Sequence, residues 1–243
     1  IGTTGSGAVA EMIALSIRCL HQIGVREFKV DIGQVGFYKG ILDSYAVSQE
    51  TAEELRDLID SKNTVELDYR LSKMGLSEEF ASKMMSLPEL FGGREVIARA
   101  RALCDNESCQ RALDNIEEIL DILDELGYGE YVSVDLGMLN KLNYYSGVVF
   151  RGIAPQIGMP ILSGGRYDGL NGMLPLPCQQ TSVVAARRGY LKEAEAYAKK
   201  LRAKGQVVAL EIDPSEDALK SYLGHCNTQE VVLFESSQPG KLK

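Results

Sequence analysis

Two short stretches, residues 143–150 and 163–170, constrain this chain more than any other part of it. The first carries Tyr144 and Tyr145 and continues into valines and a phenylalanine, a composition typical of a β-strand. The second is a strand end that turns through glycines into a helix, and it carries Tyr167. Rigid aromatic walls, placed hydroxyls and closely approachable backbone commonly form pockets for small polar ligands. We therefore predict such a pocket where the two stretches meet.

The composition is that of an ordinary globular protein and argues against two classes of function. The 243 residues suffice for one large or two ordinary domains, with 45% hydrophobic and 25% charged residues. A net charge of −8 argues against nucleic-acid binding, because binding to phosphate needs clustered Lys and Arg. The sequence shows neither a membrane-spanning stretch nor a signal peptide, so we predict a cytoplasmic protein.

The cysteines and histidines offer little material for metal binding or nucleophilic catalysis. Five cysteines are present without CxxC spacing, which favours structural thiols in a reducing cytoplasm over a disulfide framework. The two histidines, His21 and His225, have no carboxylate or cysteine at ligand spacing. We predict no metal site and no cofactor.

The order of the predicted elements places a helical insertion inside a sheet. Residues 28–32 alternate like a strand, and residues 48–126 contain a series of amphipathic helices with helix-start residues. Strands at 132–136, 144–153 and 159–163 follow at short spacings, which favour an antiparallel meander over parallel units. The predicted fold class is therefore α+β, with an antiparallel sheet core and a helical insertion.

Beyond residue 174 the pattern changes to regular alternation of strands and helices. The predicted order is strand 181–186, helix 189–203, strand 206–212, helix 215–223 and strand 230–234. Such alternation indicates a small α/β domain with a mostly parallel sheet. We predict two domains, residues 1–174 and residues 178–243.

Four stretches together carry a resemblance to a known family. They are residues 8–15, 31–37, 142–150 (LNYYSGVVF) and 163–170 (SGGRYDGL). They resemble the histidyl-tRNA synthetase-like core of the class II aminoacyl-tRNA synthetases, and the last two resemble its histidine-binding motifs. The closest form is the regulatory subunit of ATP phosphoribosyltransferase, whose version of residues 31–37 this sequence follows better than the synthetase's. The resemblance covers roughly residues 1–170, and its motifs are specific only in combination.

This resemblance implies a role for each residue of the predicted pocket. Tyr145 and Tyr167 would contact histidine through their hydroxyls, while Tyr144, Gly164 and Gly165 would form the wall and floor. A lone tyrosine is more often a core aromatic with its hydroxyl at the surface, but two motif-matched tyrosines favour a pocket. The residues that bind the amino group of histidine are expected to precede the first residue of this sequence.

Asn140 is the departure that distinguishes the two relatives. A synthetase carries an arginine two residues before the leucine of this motif, where it stabilises negative charge as the adenylate forms. Asparagine is shorter and uncharged, so it cannot supply that stabilisation. The resemblance therefore implies a binding site that has lost its catalytic position, with no catalytic residues.

The resemblance implies a regulatory protein, and two alternatives stay open. As a regulatory subunit, the chain would form dimers, assemble with the short catalytic subunit of ATP phosphoribosyltransferase and bind L-histidine as feedback inhibitor of histidine biosynthesis. The first alternative is a histidyl-tRNA synthetase, which the anticodon-domain-like order of residues 178–243 favours and the acidic charge disfavours. The second is a general amino-acid-binding module outside both pathways.

Overall fold

The computed structural model describes residues 5–45, 47–104, 106–139, 145–166, 182–217, 219–220, 228 and 230–242. The chain forms two compact units. We call residues 16–118 with 131–171 the sheet unit, and residues 1–15, 119–130 and 172–243 the α/β unit. The predicted boundary between residues 174 and 178 lies outside the described residues, so the two-domain division stays a prediction.

The described elements run as helices and strands in mixed order. The helices are α1 (Ser6–Gln22), α2 (Val35–Asp43), α3 (Gln49–Asp60), α4 (Thr64–Met74), α5 (Glu78–Ser86), α6 (Glu95–Leu103), α7 (Glu107–Glu125) and α8 (Leu191–Ala203). The strands are β1 (Lys29–Gln34), β2 (Phe91–Gly92), β3 (Val132–Asp135), β4 (Val148–Ile153), β5 (Pro160–Gly165), β6 (Ser182–Ala186), β7 (Val208–Ile212), β8 (Glu230–Phe234) and β9 (Gly240–Leu242). Within the described ranges, no helix has the length and apolar character needed to cross a membrane.

Local capping chemistry sets the boundaries of the insertion helices. The side chains of Ser48, Asn63 and Ser77 accept hydrogen bonds from backbone N–H groups in the first turns of α3, α4 and α5. Each bond satisfies a donor that the helix itself leaves unpaired. Gly75 ends α4 in the left-handed region, with φ of 63°, where glycine has no steric penalty. The predicted helices of the insertion are confirmed.

The five-stranded sheet of the sheet unit has the order β2-β3-β1-β4-β5. β4 pairs antiparallel with β1 and with β5, as an antiparallel core requires. β3, however, pairs parallel with β1, and β1 lies between β3 and β4. The predicted meander is therefore correct for β4–β5 and wrong for β3–β4. The connection from β1 to β3 contains helices α2 to α7 and is the long crossover that a parallel pair needs. The short spacing between β3 and β4 gave no indication that β3 pairs with β1.

β4 begins at Val148, whereas the predicted strand began at Tyr144, which lies outside the described residues. Just before β4, Ser146 N donates to Arg166 O at 3.0 Å, and Val35 N donates to Gly147 O at 3.1 Å. The chain here is tied to the end of β5 and to the start of α2. Tyr145 therefore lies before β4 and is not a residue of that strand.

The structure joins Cys104 and Cys109 by a disulfide, so the prediction of thiols is wrong for this pair. The short connection between α6 and α7 places the Cα atoms of Cys104 and Cys109 6.1 Å apart, within the range that a disulfide spans. Asn106 accepts from Cys109 N at 2.8 Å and donates to Gly40 O of α2 at 2.6 Å. This connection therefore packs directly against α2.

The described part of the α/β unit contains the three predicted strands and the first predicted helix, while much of the second predicted helix, residues 215–223, lies outside the described residues. Its sheet has the order β7-β6-β8-β9, in which β6 pairs parallel with β7 and β8 while β9 adds antiparallel. Every residue of β6 is buried, as expected for a central parallel strand. Glu125 at the end of α7 accepts from Gly189 N and Leu191 N, at 2.7 and 3.2 Å, and so caps α8.

Candidate functional site

The structure describes three of the predicted pocket residues, and it brings Tyr145 and Gly165 into contact. A Cβ placed on Gly165 would lie 2.5 Å from two ring atoms of Tyr145 and 3.0 Å from Val148 O. The neighbouring Gly164 likewise gives room to the ring of Phe150. The glycines of the second motif are therefore needed by the aromatic rings packed on them. Their contact with a ligand stays a prediction.

Three predicted positions lie outside the described residues. They are Asn140, Tyr144 and Tyr167. Their roles as lost catalytic position, pocket wall and hydroxyl contact therefore stay predictions.

Tyr145 is a fixed part of the hydrophobic core with one side on a cleft. It is 5% exposed and clusters with Val35, Met138 and Val149. Packing of this kind restricts the ring to one orientation. Tyr145 therefore offers a rigid aromatic surface to whatever enters the cleft.

The cleft lies between α2 and α3 and encloses about 340 Å³, which is within the size range of small-molecule sites. α2 and α3 supply most of its surface, and Leu139 and Tyr145, which lie between β3 and β4 in the sequence, supply the rest. The lining residues are Val35, Tyr38, Lys39, Leu42, Asp43, Gln49, Ala52, Glu53, Arg56, Leu139 and Tyr145. Apolar and aromatic side chains thus share the cleft with charges of both signs.

The polar groups of α3 follow one face of that helix. Gln49, Glu53 and Arg56 are spaced four and three residues apart, so they project from the same side. Gln49 Nε2 donates to Glu53 Oε1 at 2.8 Å and holds that carboxylate in place. Arg56 is half-buried and contacts Asp57 at 3.4 Å. Sequence reasoning missed this face, although its spacing could have been noticed.

Tyr38 fastens α2 to α3 at the floor of the cleft. Its hydroxyl donates to Ala52 O at 2.5 Å. Burial raises the pKa of the Tyr38 hydroxyl well above its ordinary value, and the nearby Arg56 charge offsets that only in part. The hydroxyl therefore stays protonated and acts as a structural donor.

Asp60, at the end of α3, ties the cleft to the sheet. Its carboxylate accepts from Arg151 on β4 at 3.0 and 3.2 Å, and from Leu139 N at 3.0 Å. The side chains of Asp60 and Arg151 are 10% and 24% exposed, so water screens the pair only partly. The hydrogen bond from Leu139 N to the same carboxylate holds Leu139 at the cleft wall.

Asp31 and Gln34, both on β1, have partners within the fold. Gln34 Oε1 accepts from Gly36 N at 3.1 Å and so caps α2, while its Nε2 donates to Asn115 at 2.9 Å. Asp31 accepts from the Ser133 hydroxyl at 2.6 Å. Across the described ranges, no group of three or more His, Cys, Asp or Glu side chains is arranged to hold a metal ion.

The chain has the fold of class II histidyl-tRNA synthetase-like proteins, which it shares with solved structures. Residues 1–175 match the family described as histidyl-tRNA synthetase, and the chain belongs to that family.

Within that family, several similar sequences carry a regulatory name. An ATP phosphoribosyltransferase regulatory subunit of Acetivibrio thermocellus is 42% identical over 170 residues, which cover 70% of this chain and 41% of the relative. The one from Clostridium acetobutylicum is 41% identical over 174 residues, which cover 71% of this chain and 43% of the relative. The chain thus spans less than half the length of these curated relatives.

A solved structure from Bacillus halodurans, named ATP phosphoribosyltransferase regulatory subunit/histidyl-tRNA synthetase, supports the same placement. It is 32% identical with a TM-score of 0.65, and the match covers 96% of this chain and 66% of that one.

Proposed function

We propose that this chain belongs to a non-catalytic regulatory subunit of ATP phosphoribosyltransferase, the enzyme of the first step of histidine biosynthesis. The short catalytic subunit would transfer the phosphoribosyl group to ATP, and this protein would be needed for its activity. The observation that carries the proposal is the 42% identity over 170 residues to a protein of that name. The contact of Tyr145 with Gly165 supports the histidine site, because it joins the two motifs that resemble histidine-binding motifs at the edge of a cleft.

L-Histidine is the proposed ligand of this site and the feedback inhibitor of the complex. Feedback requires histidine to bind the less active state more tightly, since a ligand shifts an equilibrium only by its difference in affinity. Self-association as a dimer and a cytoplasmic location belong to the same proposal.

The alternative is a histidyl-tRNA synthetase, which the family match and the α/β unit favour. Against it stands the charge at the carboxyl ends of β6, β7 and β8, where ligands of parallel sheets usually bind. Arg187 lies 3.5 Å from both Asp213 and Glu235, and Arg188 lies 3.7 Å from Asp121. Because these cations face carboxylates, that edge offers little attraction for an RNA backbone.

Reconstitution of the complex tests the proposal. We expect the catalytic subunit from the same organism to transfer phosphoribosyl to ATP only when the full-length protein is added. We also expect L-histidine to inhibit the mixture. Catalytic activity that does not depend on this protein would contradict the proposal. Lack of any association would instead favour a general amino-acid-binding module, and charging of tRNA with histidine would establish the synthetase.

A further inference from the structure

We propose that Cys104 and Cys109 form a reversible thiol–disulfide redox site whose state is transmitted to α2. The reactant is a small thiol–disulfide couple of the glutathione type. The site lies apart from the histidine-binding motifs, and the inference takes only the cytoplasmic location from the proposed function. In a reducing compartment, protein disulfides are usually transient and redox-sensing, so a bond between these two residues indicates exchange.

The fold holds the two cysteines close together without the help of the covalent bond. Asn106 accepts from Cys109 N at 2.8 Å, and Gln110 donates to Cys104 O at 2.9 Å. Arg101 of α6 in turn donates to Gln110 of α7. The bond joins residues with a sequence separation of only 5, and short loops gain least from a disulfide. Both the dithiol form and the disulfide form should therefore fold, as a reversible site requires.

The two sulfur atoms differ in access, and this difference sets the order of exchange. Cys109 is fully buried, whereas Cys104, at the end of α6, is 6% exposed. A reductant thiolate therefore attacks the Cys104 sulfur, and Cys109 leaves as a thiolate that takes up a proton. A second reductant thiolate attacks the reductant sulfur of the mixed disulfide, which releases Cys104 as a thiol and leaves the reductant oxidised. Oxidised glutathione drives the same steps in reverse.

Cys109 packs directly on the backbone of α2. Its sulfur lies 3.7 Å from Phe37 O, and a Cβ added at Gly40 would lie 2.9 Å from both the nitrogen and the sulfur of Cys109. Asn106, in the same connection, donates to Gly40 O at 2.6 Å and to the Ser44 hydroxyl at 3.1 Å. The contact between the cysteine pair and α2 therefore follows one face of that helix.

Reduction changes this contact because the two sulfur atoms have to move apart. A disulfide holds them about 2 Å apart, whereas non-bonded atoms need about 3.5–4 Å. Cys109 has no free space towards Gly40, and dense packing transmits such displacements. The opposite face of α2 lines the cleft through Val35, Tyr38 and Leu42. The redox state of the pair therefore reaches the wall of the cleft.

Redox titration of the full-length protein tests the site. Trypsin cleaves after Arg101 and Arg111, so both cysteines lie in one peptide, residues 102–111. After alkylation in denaturant, we expect this peptide to pass from dithiol to disulfide as the share of oxidised glutathione rises, and to return when the ratio is reversed. A peptide that stays a disulfide throughout would show a permanent structural bond. That result, or a peptide that stays a dithiol throughout, would overturn the proposal.

Single cysteine variants test the order of attack. In Cys109→Ala, we expect oxidised glutathione to leave a mixed disulfide on Cys104, which the mass of the same peptide reports. In Cys104→Ala, the buried Cys109 should carry no glutathione. Thermal unfolding verifies that both variants fold. Equal labelling of the two variants would refute the assignment of Cys104 as the sulfur that is attacked.

Hydrogen exchange of the α2 amides measures the transmission. We expect residues 35–43 to exchange several-fold faster in the dithiol form than in the disulfide form, because loss of the bond lowers the cost of local opening. Cys104→Ala with Cys109→Ala is the matched control, whose α2 amides should exchange alike in reducing and oxidising buffer. If the wild-type amides also exchange alike, the pair does not act on α2 and the proposal is overturned. None of these measurements depends on histidine or on the catalytic subunit, so a failed reconstitution leaves them intact.

Discussion

Gly165→Ala is expected to abolish most histidine binding while leaving the protein folded. The added Cβ would lie 2.5 Å from the Tyr145 ring and 3.0 Å from Val148 O, so the ring or the strand must move. Overpacking of this kind costs about 1–3 kcal/mol of stability. Because Tyr145 forms the aromatic wall of the cleft, we expect affinity to fall about tenfold or more. Calorimetry with L-histidine and urea unfolding measure the two effects.

Gly147→Ala is the matched control for that substitution. Its added Cβ would meet nothing closer than 3.5 Å, at Arg166 Cδ, which is an ordinary contact. Binding and stability should therefore stay close to wild type. Equal losses in the two alanine variants would show that any change in this segment disturbs binding, and that the contact between Gly165 and Tyr145 has no special part in it.

Asp60→Ala is expected to cost the largest stability loss of any single change at the site, about 2–4 kcal/mol. The substitution leaves Arg151 and Leu139 N without the carboxylate that accepts from both. Removing one partner of a fully buried ion pair costs about 3–5 kcal/mol, and partial exposure of this pair reduces that figure. Histidine affinity should fall as well, since Leu139 lines the cleft. Chemical unfolding in urea gives the loss directly.

A double-mutant cycle with Arg151→Ala isolates the pair itself. We expect the double variant to be less destabilised than the sum of the two single changes, because the second removal no longer leaves a half-buried charge. Glu54→Ala provides the exposed comparison. Glu54 pairs with Arg70 at 3.0 Å, with the side chains 38% and 47% exposed, and its loss should cost less than about 1 kcal/mol. An Asp60→Ala loss as small as this one would refute the bridging role.

The helices were predictable from local sequence because local chemistry sets their ends. Ser48, Asn63 and Ser77 each cap the helix that follows, whatever the rest of the chain does. The pairing of β3 with β1 was not predictable in this way. It joins Val30 to Val132 across about a hundred residues, and the sequence of neither strand indicates which strand it pairs with.

In the site, as in the fold, local sequence predicted some residues, whereas others are placed by tertiary contacts. The motifs located Tyr145 and Gly165, which the fold brings into contact. They did not point to Arg56 or Glu53, because the position of α3 at the cleft depends on tertiary contacts, among them the pair that Asp60 forms with Arg151, 91 residues away. Nor did spacing indicate the Cys104–Cys109 disulfide, which depends on how α6 and α7 meet.

Histidine-dependent exchange of pyrophosphate into ATP tests the central claim most directly, namely that this site binds histidine but has lost the means to activate it. The assay reports adenylate formation, the step that the missing arginine at position 140 would assist. For full-length protein that binds histidine by calorimetry, we predict no exchange above the background without histidine. Exchange that rises with histidine concentration would contradict the claim and identify a working synthetase site.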